Sequence, residues 1–148
     1  RYSRSYFEAG VRLVVAEDSP ITGLDELGGR RLAVEWGSIG DAEARKLERA
    51  DATIQRLTFP GPQEAIQALL AGQADAVLID GVTLRQMQGA GAALRAVGEP
   101  LESNPYVIAL PLGAHDLQEE IDSALAEFMT NGFLADLEQQ WFSETTNK

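Results

Sequence analysis

The chain has 148 residues, 45% of them hydrophobic and none of them cysteine, with 12 Lys and Arg against 23 Asp and Glu for a formal charge of -11. That length and apolar content suit a single compact domain with a real core. The charge argues against a nucleic-acid or anionic-lipid partner held by clustered cations, and the missing thiols exclude disulfides, cysteine nucleophiles and Cys-ligated metals.

Along the chain, strands are expected near residues 11–16, 31–36, 53–57, 76–79, 93–97 and 106–110, and helices near 41–50, 62–71, 82–88, 116–130 and 133–142. RLAVEW (31–36) reads as a strand and runs through the bend GSIG into DAEARKLERA, a helix with its charges mostly outward. Strand, Gly-rich turn and helix in that order aim backbone N–H groups at an anion. Ser38 and Asp41 also have the spacing of a capping box, in which each side chain satisfies a free N–H at the helix start. FPGP (59–62) punctuates the next loop. Pro62 then suits a first helical position, Ala65, Ile66, Leu69 and Leu70 share one face, and Gly72 supplies a left-handed stop. The run Ala76–Ile79 is too short for a helix and continuously apolar, which suits a central parallel strand covered on both faces. Asp80 ends it.

GAGAA (89–93) marks a further loop. In the last two helices Leu117, Ile121, Leu125 and Phe128, then Leu134, Leu137, Trp141 and Phe142, recur at helical spacing and are expected to be buried. Alternating strands and helices imply an α/β fold with a mainly parallel, doubly wound sheet and helices on both faces. Ligands of such sheets bind beyond the carboxyl ends of the strands, where Trp36 to Gly40 and Asp80 would lie.

Each of these residues has two readings. Asp80 either faces a ligand or caps the helix starting near Gly81–Thr83, and Ser38 is a cap, a ligand donor or both. Trp36 is either a cleft-wall aromatic or half-buried packing at a strand end. His115 is expected at a helix start rather than in catalysis or metal binding, and Glu119 and Glu120 on a solvated helix face. There is no Gly-x-Ser-x-Gly elbow, His-Glu-x-x-His, P-loop or carboxylate pair with acid and base roles, so no enzyme activity, cofactor or metal is expected.

The GSIG unit and EAIQALLAGQADAVLID (64–80), in this order, resemble the family 3 solute-binding proteins, the polar amino-acid receptors of ABC importers, which share the type II periplasmic binding fold. YSRSYFEAGVRLVVAEDSPITGLDELGGRRLAVEWGS is similar to the family's aromatic-Ser segment, first inter-lobe strand and "short helix, basic pair, strand, Gly-Thr" run, with Arg30 and Arg31 on the basic pair. PYVIALPLG resembles the returning strand, and DLQEEIDSALAEFMTNGFLADLEQQWF the closing helix pair. The resemblance spans roughly residues 2–142. It implies a ligand site at Trp36, Gly37, Ser38, Ile39 and Asp80, with Asp80 binding an ammonium group and the bend binding a carboxylate. Ile39 stands where a Thr hydroxyl commonly faces the ligand, which leaves its backbone N–H as the donor.

The resemblance further implies three parts: a truncated lobe 1 segment and first hinge strand at 1–18, a ligand-binding lobe 2 at 19–104, and a second hinge strand with C-terminal helices returning to lobe 1 at 105–148. The chain begins inside the aromatic-Ser motif, and Arg1 is too close to it to be the family's carboxylate-binding arginine, so lobe 1 is expected to be mostly missing and any export signal to precede Arg1. The implied function is the solute-binding component of an ABC importer, exported to the periplasm or cell exterior, closing on a small polar solute by hinge motion and docking on a membrane permease. With lobe 1 truncated, self-association through the C-terminal helices is expected. The alternatives are an enzyme on the same fold, a cyclohexadienyl or prephenate-type dehydratase, and the ligand-sensing domain of a receptor.

Overall fold

The structure, a computed structural model, describes residues 1–142. Its centre is a five-stranded sheet in the order β4-β3-β5-β2-β6, formed by β2 (Val11–Ala16), β3 (Arg31–Glu35), β4 (Gln55–Phe59), β5 (Ala76–Asp80) and β6 (Leu94–Val97). β4, β3 and β5 pair in parallel, whereas β2 runs antiparallel to both β5 and β6, so four strands share one direction and β2 alone is reversed.

Alternate strand residues point to opposite faces, and both faces are covered. Leu13, Val15, Leu32, Val34, Ala76 and Leu78 pack on one side with Ala44 and Leu47 of helix α1 (Ile39–Ala50). Val14, Ala33, Val77 and Ile79 pack on the other with Ala65, Ile66 and Leu69 of α2 (Pro62–Leu70) and Leu84 of α3 (Gly81–Gly89). This is the doubly wound arrangement that the continuous apolar runs imply. The amino end of the sheet is clamped by Arg31, whose guanidinium donates twice to the Asp75 carboxylate while its N–H donates to Asp75 Oδ2.

Two strand boundaries differ from expectation for local reasons. β4 starts at Gln55, two residues late, because Asp51 Oδ1 accepts from the Thr53 N–H at 2.9 Å and its hydroxyl at 2.6 Å, holding 51–53 in a turn. The strand expected over 106–110 is regular only at β7 (Pro105–Tyr106), which pairs with the unforeseen β1 (Phe7–Glu8). Further on, Ser3 Oγ takes the Ile108 N–H in place of a carbonyl, and only the isolated Tyr2–Ala109 bridge follows.

Helices α4 (His115–Thr130) and α5 (Phe133–Phe142) form as expected, but their apolar faces are only partly buried. Leu125 is buried, Ile121, Phe128, Leu134, Leu137 and Phe142 are half-buried, and Leu117 and Trp141 are 46% and 76% exposed. The sheet does not reach this face. α5 instead leans on α3 through an Arg85–Glu138 ion pair and stacks Phe142 on Phe7, 6.0 Å between ring centres.

Candidate functional site

β3 and β5 are parallel neighbours, with Val34 opposite Leu78, so the chain leaves both strands at the same edge of the sheet. From β3 it passes through the bend at Trp36–Ser38, where Gly37 takes φ +76°, a left-handed conformation that L side chains rarely adopt. Ser38 then caps α1, its Oγ accepting the Asp41 N–H at 3.1 Å and donating to the Glu35 carbonyl at 2.8 Å. Gly40 lets this first turn rest directly on β5: a Cβ there would stand 2.8 Å from the Leu78 carbonyl oxygen.

The result is a cavity of about 150 Å³ between the start of α1 and the end of β5. Ser38, Ile39 and Gly40 line one side, Leu78 to Asp80 another, and Ala9, Glu102 and Asn104 a third. Three of the expected site residues, Ser38, Ile39 and Asp80, therefore meet in one place. Trp36 and Gly37 are not among the lining residues. Trp36 is 72% exposed, so the half-buried packing expected of it does not form either.

The Gly37 N–H is already engaged by a bond the sequence did not suggest. Its N–H donates to Asp41 Oδ2 at 3.0 Å, and the Ser38 N–H is taken by the Glu35 carbonyl at 3.2 Å. The capping box is thus displaced by one residue, with Asp41 reaching past Ser38 to Gly37. Among the described residues, the N–H groups of Ile39 and Gly40 have no hydrogen-bond partner, as first-turn amides of a helix do when nothing caps them. They sit at the positive end of α1 and beside the cavity. Asp80, at the end of β5, lines the same cavity. It does cap α3, accepting the Thr83 N–H at 2.9 Å and the Thr83 hydroxyl at 2.6 Å, yet each carboxylate oxygen keeps a free lone pair.

Asp41 itself is 1% exposed and accepts from Arg45 at 2.8 Å and from Arg56 of β4 at 2.6 Å. Burial pushes its carboxyl up, but the Gly37 N–H and the guanidinium groups of Arg56 and Arg45 outweigh that and hold it below the ordinary carboxylate value. Next to the lining residues Ala9 and Asn104, Glu8 accepts the Asn104 N–H at 2.5 Å, the Ser103 hydroxyl at 2.7 Å and the Gly10 N–H at 2.9 Å. Those bonds, that from Asn104 foremost, hold its carboxyl low and fasten residues 8–10 to residues 103–104. The lining carboxylates Glu35, Asp80 and Glu102 are joined by no Lys or Arg.

The cavity is therefore lined by two residues with unpartnered helix-start N–H groups and by a carboxylate, groups that suit a small zwitterion. Glu35, Glu102 and Asn104 were not anticipated, since nothing local in the sequence says that residues 102–104 return to residues 8–11 at the start of β2. His115 starts α4, its Nε2 3.5 Å from Arg1 Nη2, and lies outside the cavity lining. Among the described residues no group of three or more His, Cys, Asp and Glu is placed to hold a metal, and no helix is long and apolar enough to cross a membrane.

No protein-family model matches the chain. It is 31% identical over 144 residues to the ABC transporter glutamine-binding protein GlnH of Bacillus subtilis, covering 97% of this chain and 52% of that protein. A mutant of the arginine-binding protein ArgBP from T. maritima superposes with a TM-score of 0.60 at 34% identity, over 97% of this chain and 62% of that one. The second substrate-binding domain of Lactococcus lactis GlnP, in its open conformation, shares the fold with a TM-score of 0.81 at 18% identity, over 94% of this chain and 60% of that one. The homologues of this chain are solute-binding proteins of amino-acid ABC transporters, and the chain spans about half the length of the curated relatives it matches.

Proposed function

We propose that this chain supplies one wall of the ligand site of an ABC importer's solute-binding protein, and that its ligand is a polar amino acid. The observation that carries this is that Ile39 and Gly40, with unpartnered N–H groups, line one cavity together with Asp80. The ligand carboxylate binds at the start of α1, where donors and helix dipole coincide, and the ammonium binds Asp80 through a charge-assisted bond. Trp36, exposed beside this wall, is free to meet the ligand's side chain or an opposing wall.

In this reading residues 1–18 and 105–148 carry the crossings to a second lobe, and 19–104 form the ligand-binding lobe. Hinge closure about the segments joined by Glu8 brings the lobes together, and the closed form docks on a membrane permease outside the cytoplasm. The half-exposed face of α4 and α5 is the surface through which the isolated chain self-associates, and a monomer mass by light scattering at high concentration would remove that part. Relatives named as glutamine- and arginine-binding proteins support a binding protein over a dehydratase or a sensor.

Because one wall holds only the head group, binding by this chain alone is expected to be weaker than micromolar. It is measured by nuclear magnetic resonance, titrating the labelled chain with millimolar L-glutamine and L-arginine. Amide shifts are expected at Ser38–Gly40 and Asp80–Thr83 and should vanish in Asp80→Ala. Shifts confined elsewhere, or none, would refute the site.

A further inference from the structure

We propose that Asp41 is the positioning residue of this cleft, a buried carboxylate that selects which amides of the GSIG bend face the ligand and keeps the bend formed before any ligand arrives. The inference rests on the cleft being a ligand site, and it concerns a residue that touches no ligand.

Four bonds converge on Asp41. Its own N–H is held by Ser38 Oγ, its Oδ2 accepts the Gly37 N–H and an Arg45 guanidinium, and its Oδ1 accepts Arg56, whose Nε reaches Glu48 at 3.2 Å. An ordinary cap needs only an exposed acceptor within the helix's first turn. Burying a carboxylate costs several kcal/mol unless it is paired and fully hydrogen-bonded, so a carboxylate 1% exposed and tied to the neighbouring strand is an expensive way to cap a helix. What it accomplishes is specific to the bend. Taking the Gly37 N–H leaves Ile39 and Gly40 as the open donors, and the link to Arg56 fixes the bend to β4 as well as to β3 and α1.

The charge balance points the same way. A lone carboxylate in the first turn of α1 would cancel the positive potential there that an anion needs. Asp41 and Glu48 against Arg45 and Arg56 sum to zero, so the fixed carboxylate braces the bend without opposing a bound anion. Its side chain is therefore preorganising machinery in the sense that it locks the groups that contact ligand.

The test uses two variants of this chain, Asp41→Asn and the double variant Asp41→Leu/Arg56→Met. The first removes the charge at constant shape. The second replaces the buried Asp41 and its half-buried partner Arg56 by apolar groups, an exchange that is often neutral or stabilising for folding, and so separates stability from positioning. In Asp41→Asn the Gly37 amide should exchange with solvent about tenfold faster or more, the effect of losing a bond to a charged group, with Val77 and Leu78 unchanged. The affinity for L-glutamine or L-arginine, whichever the wild-type chain binds, should fall at least about fivefold. The double variant should fold yet recover neither Gly37 protection nor affinity. Wild-type Gly37 exchange and affinity in either variant would overturn the proposal. If the wild-type chain binds neither amino acid but Gly37 exchange responds as stated, the ligand reading fails and the brace stands.

Discussion

Gly40→Ala sets two effects of opposite sign against each other where the first turn of α1 rests on β5. Alanine in a helix is favoured over glycine by about 1 kcal/mol, and Gly40 has helical backbone angles, so propensity alone raises stability. The new Cβ, however, would lie 2.8 Å from the Leu78 carbonyl oxygen and 3.3 Å from its carbonyl carbon. Reaching an ordinary contact of 3.4 Å means moving the start of α1 by about 0.6 Å away from a central strand, and the obstacle is backbone that cannot rotate aside. Overpacking of this kind costs about 1–3 kcal/mol, and the rigid neighbour places it at the upper end. The expected net loss is about 1–2 kcal/mol, a fall in melting temperature of about 2–8 °C for a chain of this size. Thermal unfolding followed by far-ultraviolet circular dichroism reads it directly. An unchanged or higher melting temperature would mean that α1 is not seated on Leu78, and the cavity geometry would fall with it.

Two further outcomes test the core and the charges. Ile66→Ala, at a side chain with no exposed area beneath the sheet, should cost about 2–5 kcal/mol and lower the urea midpoint without changing the slope. Arg31 hydrogen bonds hold Asp75 low, and the Gly37, Arg56 and Arg45 contacts hold Asp41 low against its burial. Both carboxyls are depressed below their unfolded value near 3.8, so their stabilisation is complete above that value and is lost as the pH falls through the lower folded values. The urea midpoint should therefore stay flat from about pH 7 to 5 and drop below about pH 4, with Asp75→Asn less stable near neutrality and converging on the wild type in acid. A midpoint that falls between pH 7 and 5 would contradict the assignment.

Helix and strand positions were legible because they rest on local signals. Pro62 and Gly72 bracket α2, AVLI is β5, and Ser38 caps α1, each decided by residues within a turn of one another. The meeting of Ser38, Ile39 and Asp80 followed from the same logic, since parallel strands released at one edge must deliver their ends together. Where a local signal competed with another, the expectation slipped, as at the Asp51–Thr53 turn that delays β4 and the Ser3 hydroxyl that interrupts the strand after β7.

Tertiary structure alone decided the rest. The placement and reversal of β2, with Arg12 opposite Ile79, depend on pairing between segments far apart in the chain, which hydrophobic period does not encode. Whether α4 and α5 are covered depends on what the sheet can reach, and an amphipathic pattern is the same whether its apolar face is buried or waiting. The sharpest case is Asp41: its sequence neighbours imply a solvated cap, and only Arg56 arriving on β4 turns it into a buried charge that withdraws Gly37 from the donors and leaves Ile39 and Gly40 facing the cavity.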